Sequence, residues 1–309
     1  MNMRRWTDFL VLLAVWAGMI LLFGILRESF FSAATLGSVA NRIPALALVA
    51  TGMTLVMVTG GIDLSVGSVL GLCGAVVGVM MADWQWGLPG AMVASLAVGT
   101  LMGSVNGVVS VKLRLPSFIV TLGMLEIARG LAFLTTDSQT KYIGTSVETL
   151  GAPIGGLVIS PAFIIALAIV FSGQIILSHM ALGRHLLAIG ANREAALISG
   201  VPVDGPRIFA HALLGSLTGL AAVFNCSRLG SADPNAGIGF ELSAIAAVVV
   251  GGTSLMGGRG SVVKSFLGVL IIATLEAGLV QIGASEPIKR VVTGAVIVAA
   301  VLADGWRRK

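Results

Sequence analysis

The chain has 309 residues, of which 56% are hydrophobic and only 11% charged, with a formal net charge of +5 and a mean hydropathy of +1.00. Soluble domains carry about 25% charged residues, so this composition excludes a soluble enzyme. The basic excess is scattered through connections, where it orients a chain in a membrane and offers no nucleic-acid surface.

Repeated apolar runs long enough to cross a bilayer predict an all-α, polytopic transmembrane helical bundle. The 41 glycines suit such a bundle, because small residues let helices approach closely. Ten spans are expected, at 9–26, 43–61, 65–82, 88–111, 117–135, 154–178, 208–225, 241–257, 265–283 and 288–304. They form a single transmembrane domain, 1–309, with one long cytoplasmic connection at 182–207. Ten crossings put both termini on one side. Lys and Arg divide about two to one in favour of that side, which makes it the cytoplasm.

The first run, Phe9–Leu26, follows Arg4 and Arg5 as a signal peptide would. No small-x-small cleavage site follows it, so it is expected to remain as the first helix. Asp63 and Ser65 sit between the second and third spans, where they can cap a helix or line the inner end of a pathway. Cys73 and Cys226 have no metal-ligand spacing and are expected as small buried hydrophobes. Trp84 and Trp86, beside Pro89, suit an interfacial belt at an outer turn. Asn106, Ser117 and Thr121 are uncharged hydrogen-bonding groups in the fourth and fifth spans. They can serve a pathway or bond helix to helix.

Glu126 and Arg129 are three residues apart and share a helix face. Charges inside a bilayer are costly and pair or face a cavity. An internal ion pair, a proton relay and a substrate contact are all compatible with them. Glu276, in the ninth span, has no partner nearby in sequence, leaving Arg129 or water to meet it. His179, His185 and His211 have no plausible partners in sequence, and no HExxH pattern occurs.

The polar island Leu182–Arg207 interrupts the membrane segments. Asn192 is a strong N-cap residue, Glu194 suits the first turn, and Gly200 followed by Pro202 marks a stop. A helix over Arg193–Ser199 follows, with Ala195 and Ala196 as exposed small residues. It serves either as a docking helix or as a connection along the inner leaflet. Further on, 228–241 contains Asp233-Pro234-Asn235 and is a receiving loop or a re-entrant cap. Residues 258–265 fall one residue short of the phosphate-binding pattern G-x-x-x-x-G-K-[ST]. Val263 stands where the second glycine is essential, and no strand precedes it.

Glu194-Ala195-Ala196-x-x-x-Gly200 resembles the EAA-x-x-x-G core that ABC importer permeases present to their ATPase, without the later I-x-L-P part. Gly60–Ser68 (GGIDLSVGS), Pro116–Leu125 (PSFIVTLGML), Ala188–Gly200 and Arg228–Ser261 resemble the ribose/xylose/arabinose branch of that family. The resemblance implies a permease in the bacterial inner membrane, surrounded by lipid, that moves a monosaccharide by alternating access. It implies a second permease copy, an ATP-binding cassette subunit carrying ATP and Mg, and a periplasmic sugar-binding protein. This chain itself would hold no cofactor and catalyse nothing. Asn192, Arg193, Glu194, Ala195, Ala196 and Gly200 would couple to the ATPase. Asp63, Ser65, Asn106, Ser117, Thr121, Glu126 and Arg129 are pathway candidates, and Asp233 and Asn235 are docking candidates for the binding protein. The alternative is an ion-coupled secondary transporter using Glu126, Arg129 and Glu276.

Overall fold

The computed structural model describes residues 3–155 and 159–306. The start of the span expected at 154–178 falls on 156–158, which lie outside the described residues, as does the basic tail 307–309. The long helices are α1 (Met3–Leu26), α2 (Ala33–Met57), α3 (Val66–Gly78, extended by a π turn over Val79–Asp83), α4 (Leu88–Lys112), α5 (Ser117–Thr136) and α6 (Pro161–His179). The island forms α7 (Ala181–Ala191) and α8 (Arg193–Ile198), and the chain continues through α9 (Asp204–Leu229), α10 (Phe240–Val250), α11 (Val262–Gln281) and α12 (Glu286–Trp306). Two-residue strands, β1 (Lys141–Tyr142) and β2 (Ser231–Ala232), pair antiparallel.

Eight helices among the described residues are long and apolar enough to cross a membrane, where the sequence suggests ten. The span expected at 241–257 is α10, which has only 11 residues. At 1.5 Å per residue it measures about 16 Å, half of a hydrocarbon core of ~30 Å. The span expected at 288–304 is α12, whose first turns carry the mutually paired Glu286, Lys289 and Arg290.

The closest packing joins α4 to α9. Gly99, Gly103 and Gly107 repeat every four residues on α4 and meet the His211–Gly215–Gly219 face of α9 backbone to backbone. Ser95 Oγ donates to the Gly219 carbonyl across the same seam at 2.8 Å. Side chains are absent where the backbones touch, which lets dispersion contacts hold the pair without a hydrophobic driving force.

The two ends of the bundle differ. At one end lie Trp84, Trp86 and the β1–β2 ladder, tied to the end of α3 by Lys141–Asp83 at 2.7 Å. At the other lie the α2–α3 connection, α7–α8 and the 251–261 loop. From β2 the chain does not stay at the tryptophan end. It runs back along α3, with Ala232 beside Gly78, the Pro234 and Ala236 carbonyls beside Gly71, and Gly237 against Gly67. This descent spans Gly78 to Gly67, eleven residue steps along α3, about 16 Å. It explains why α10 is short: it starts part-way down, with Ser243 beside Glu276. The backbone of 228–241 thus lies along α3 in the way a re-entrant cap would.

Candidate functional site

The island is built as its local sequence dictates. Asn192 Oδ1 accepts from Ala195 N at 2.9 Å, so the N-cap is real. Gly200 is left-handed at φ +76°. Gly200 N donates to Leu197 O and Val201 N to Ala196 O, both at 3.0 Å, which is a Schellman stop. The stop ends the helix at Ile198, one residue earlier than the sequence suggests. The outward face also differs. Ala195 is exposed, but Ala196 is buried against Ile189 and Val203. Leu197 and Ile198 take the outside instead, at 63% and 87% exposure. Replacing Asn192 by alanine is expected to cost α8 about 1 kcal/mol, seen as faster amide exchange at Ala195 and Ala196.

The α2–α3 connection gathers five of the residues expected along a pathway. Ile62 N donates to Ser117 Oγ at 2.9 Å and Leu64 N to Thr121 Oγ1 at 3.0 Å. Asp63 Oδ1 accepts from Ser65 N at 2.9 Å and Ser65 Oγ at 2.6 Å. Asp63 Oδ2 accepts from Asn106 Nδ2 at 3.2 Å, and that amide also donates to Ser65 Oγ at 2.9 Å. Ser65 occupies the N-cap position of α3 without a side-chain cap bond, because its hydroxyl is spent on Asp63. Ser117 and Thr121 hold backbone amides that a tight turn would otherwise leave unpaired. Asp63, Ser65, Asn106 and Thr121 are each at most 2% exposed, so all four are enclosed by the protein.

His211 completes the cluster and corrects the sequence reading, which gave it no partner. Its Nδ1 lies 3.1 Å from Asp63 Oδ2, across 148 residues of chain. The signal for it was the four-residue Gly spacing of α9, which marks the face pressed against α4 and Asn106. Burial alone would raise the Asp63 carboxyl, but the His211 contact and the Ser65 bonds outweigh it and hold the group below the usual carboxylate range.

The chain on both sides of α8 grips this connection. On one side Gly190, near the end of α7, packs on the Val58 carbonyl and Gly258 N so closely that a Cβ would overlap the Val58 oxygen. On the other, α9 brings His211 to Asp63. Gly258 N donates to Val58 O at 2.9 Å, joining the 251–261 loop to the same point. Further along, Val263 N donates to Gln174 Oε1 at 3.1 Å, Lys264 N to Ser261 Oγ at 3.4 Å and Ser265 N to Ser261 O at 2.9 Å. Lys264 pairs with Asp8 at 3.1 Å. The near-match at 258–265 thus has four of its amides and its lysine already engaged, unlike the open amides of a phosphate cradle.

A second group lies along the re-entrant segment. Arg129 donates to the carbonyls of Pro234 and Ala236. No ion pair among the described residues joins it to exposed Glu126, so the expected pairing gives way to carbonyl bonding. The dipping backbone presents acceptors with no strand or helix to satisfy them, and the guanidinium supplies two donors. Asp233 Oδ1 accepts from Asn235 N at 2.8 Å, which fixes the turn. Glu126, Arg129 and Asn235 line one cavity of about 270 Å³ with Ser68 and Glu241. Glu276 does not meet Arg129. It accepts from Ser243 Oγ at 3.3 Å and faces a separate cavity of about 470 Å³ with Arg42, Arg228 and Lys289. Among the described residues no three His, Cys, Asp or Glu side chains cluster as a metal site would.

Residues 35–301 match a family model described as branched-chain amino acid transport system / permease component. The chain is 38% identical over 290 residues to the ribose import permease protein of Escherichia coli K12, covering 92% of this chain and 89% of that one. It is 39% identical over 295 residues to the ribose import permease protein of Bacillus subtilis 168, covering 93% and 89%. It is 34% identical over 308 residues to the autoinducer 2 import system permease protein of Yersinia pseudotuberculosis serotype O:1b, covering 99% and 86%. No solved structure matches.

Proposed function

This chain belongs to the family of branched-chain amino acid transport system permease components, and from that premise we propose that it carries a ribose-like monosaccharide across the bacterial inner membrane. It is the permease component of an ATP-binding-cassette importer and not its ATPase. The sugar class follows from the ribose and autoinducer 2 import permeases among its relatives. A second permease chain completes the pathway, and a soluble sugar-binding protein delivers the sugar at the tryptophan end. Both termini and the island face the cytoplasm. There a separate ATP-binding subunit, holding ATP and Mg, docks on α8. Its closure on ATP turns the permease pair outward, and hydrolysis lets the pair return.

The observation that supports docking is the outward face of α8. Leu197 and Ile198 stand exposed on a six-residue helix fixed at both ends. A helix this short does not persist alone in water, so its caps and its buried Ala196 preset it for a partner. Arg193 and Glu194 flank the apolar pair with groups for a polar rim.

The test is Ile198→Glu, with Glu194→Lys beside it. Each is measured for co-purification of the ATP-binding subunit and for ATP-dependent ribose uptake in proteoliposomes. Loss of a buried anchor worth about 2 kcal/mol weakens association roughly thirty-fold. Undiminished co-purification in both variants sinks the docking assignment. Uptake that needs an ion gradient and no ATP sinks the importer reading itself.

A further inference from the structure

We propose that Asp63 and His211 are positioning residues for transport, and that the α2–α3 connection they lock is the receiver of α8's motion. This rests on the docking reading above and extends it inward. Three observations carry it. First, the connection is held from both sides of α8, by Gly190 on Val58 and by His211 on Asp63. Along α7 a displacement of α8 meets the Gly190–Val58 contact first, and along α9 it meets α4 at Asp204–Lys112 and Ile208–Gly107 and then the connection at His211. Second, the connection is not a loose turn. Asp63 is 2% exposed and its neighbours are bonded to α4 through Asn106 and to α5 through Ser117 and Thr121. A rigid junction of this kind moves as a unit, because packed interiors shift between discrete arrangements and do not deform continuously. Third, the connection feeds directly into α3. The Gly67–Gly71 face of α3 carries the re-entrant segment, with Gly237 against Gly67 and the Pro234 and Ala236 carbonyls at Gly71. A turn or shift of α3 therefore moves the very segment that Arg129 holds.

The His211–Asp63 contact is the one polar tie between α9 and this connection among the bonds described above. Removing it leaves the packing contacts in place but frees α9 to move without the connection. Spatial continuity is not by itself coupling, so the experiment separates the two ends of the route. The full chain, assembled with the ATP-binding subunit that co-purifies with it, is labelled at Ser199→Cys on the island or Asn235→Cys on the re-entrant segment. The native Cys73 and Cys226 are buried. Label mobility is read with and without Mg-ATP and vanadate.

In the otherwise unmodified chain both labels are expected to respond. In Asp63→Asn and His211→Gln the Ser199 response remains, which certifies folding and docking. The population shift at Asn235 falls about ten-fold, within the range typical of coupling between sites. The exchanged pair, Asp63→His with His211→Asp, restores it. Single variants that keep the full Asn235 response overturn the proposal. So does a loss that the exchange leaves unrestored, since that is ordinary structural damage. No response at Ser199 in the unmodified chain overturns the docking reading itself, a different failure with a different signature.

Discussion

Replacing Gly215 by valine is expected to cost the bundle about 3 kcal/mol or more, at the upper end of what overpacking does. A Cβ there would overlap the Gly99 carbonyl and sit 3.0 Å from the Gly103 Cα. Both obstacles are backbone, so no rotamer change relieves them, and α4 and α9 must separate. The Ser95–Gly219 bond of 2.8 Å then opens, and His211, one turn along α9, draws away from Asp63. Unfolding in detergent titrated with SDS measures the loss directly. Gly18→Ala is the control: nothing lies within 4 Å of a Cβ there, and the substitution is expected to stabilise α1 by up to about 1 kcal/mol through helix propensity. Equal effects at the two positions would show that backbone approach does not hold this seam.

Arg129→Leu is expected to release the re-entrant segment. Two carbonyls, of Pro234 and Ala236, lose their donors, at about 1–3 kcal/mol for each acceptor left buried and unpaired. The damage is local, because α3 and α5 keep their own contacts. A cysteine at position 235 should therefore react faster with a membrane-impermeant maleimide, by ten-fold or more, while global stability falls less. Transport should fall with it. Arg129→Lys is expected to rescue in part: one nitrogen, Nη1, makes both bonds and an ammonium can stand in for it, but on a flexible stem less preorganised for them. Unchanged reactivity at position 235 in the leucine variant would mean that the segment is held by its glycine packing on α3 alone.

Some of this was legible in the sequence and some was not, and the division is physical. The caps of α8 are local: Asn192 and Gly200 act within four residues, so the helix was readable to within one residue. The apolar spans were readable because length and hydropathy are local as well. Position 196 was misplaced because which face of a two-turn helix is buried depends on Ile189 and Val203, not on the helix. The His211–Asp63 contact was hidden by 148 residues of separation, although Asp63, Asn106 and Thr121 were each marked singly as polar groups in apolar surroundings. The count of ten failed at 241–257 for a different reason. Hydropathy measures how apolar a segment is, whereas the depth at which it starts is set by the ten residues before it.

That depth has a consequence for how the protein is made. A segment needs about 20 apolar residues to enter a bilayer by itself, and α10 has 11. It cannot be inserted as an independent unit while the chain is being synthesised. Its entry must wait until the flanking helices α9 and α11 are in place and the glycine groove of α3 stands ready to receive residues 232–237. Seating residues 232–237 is thus a docking of backbone onto backbone, and a substitution at Gly67 or Gly71, whose Cβ would meet that backbone, is expected to hinder it without shortening any full-length span.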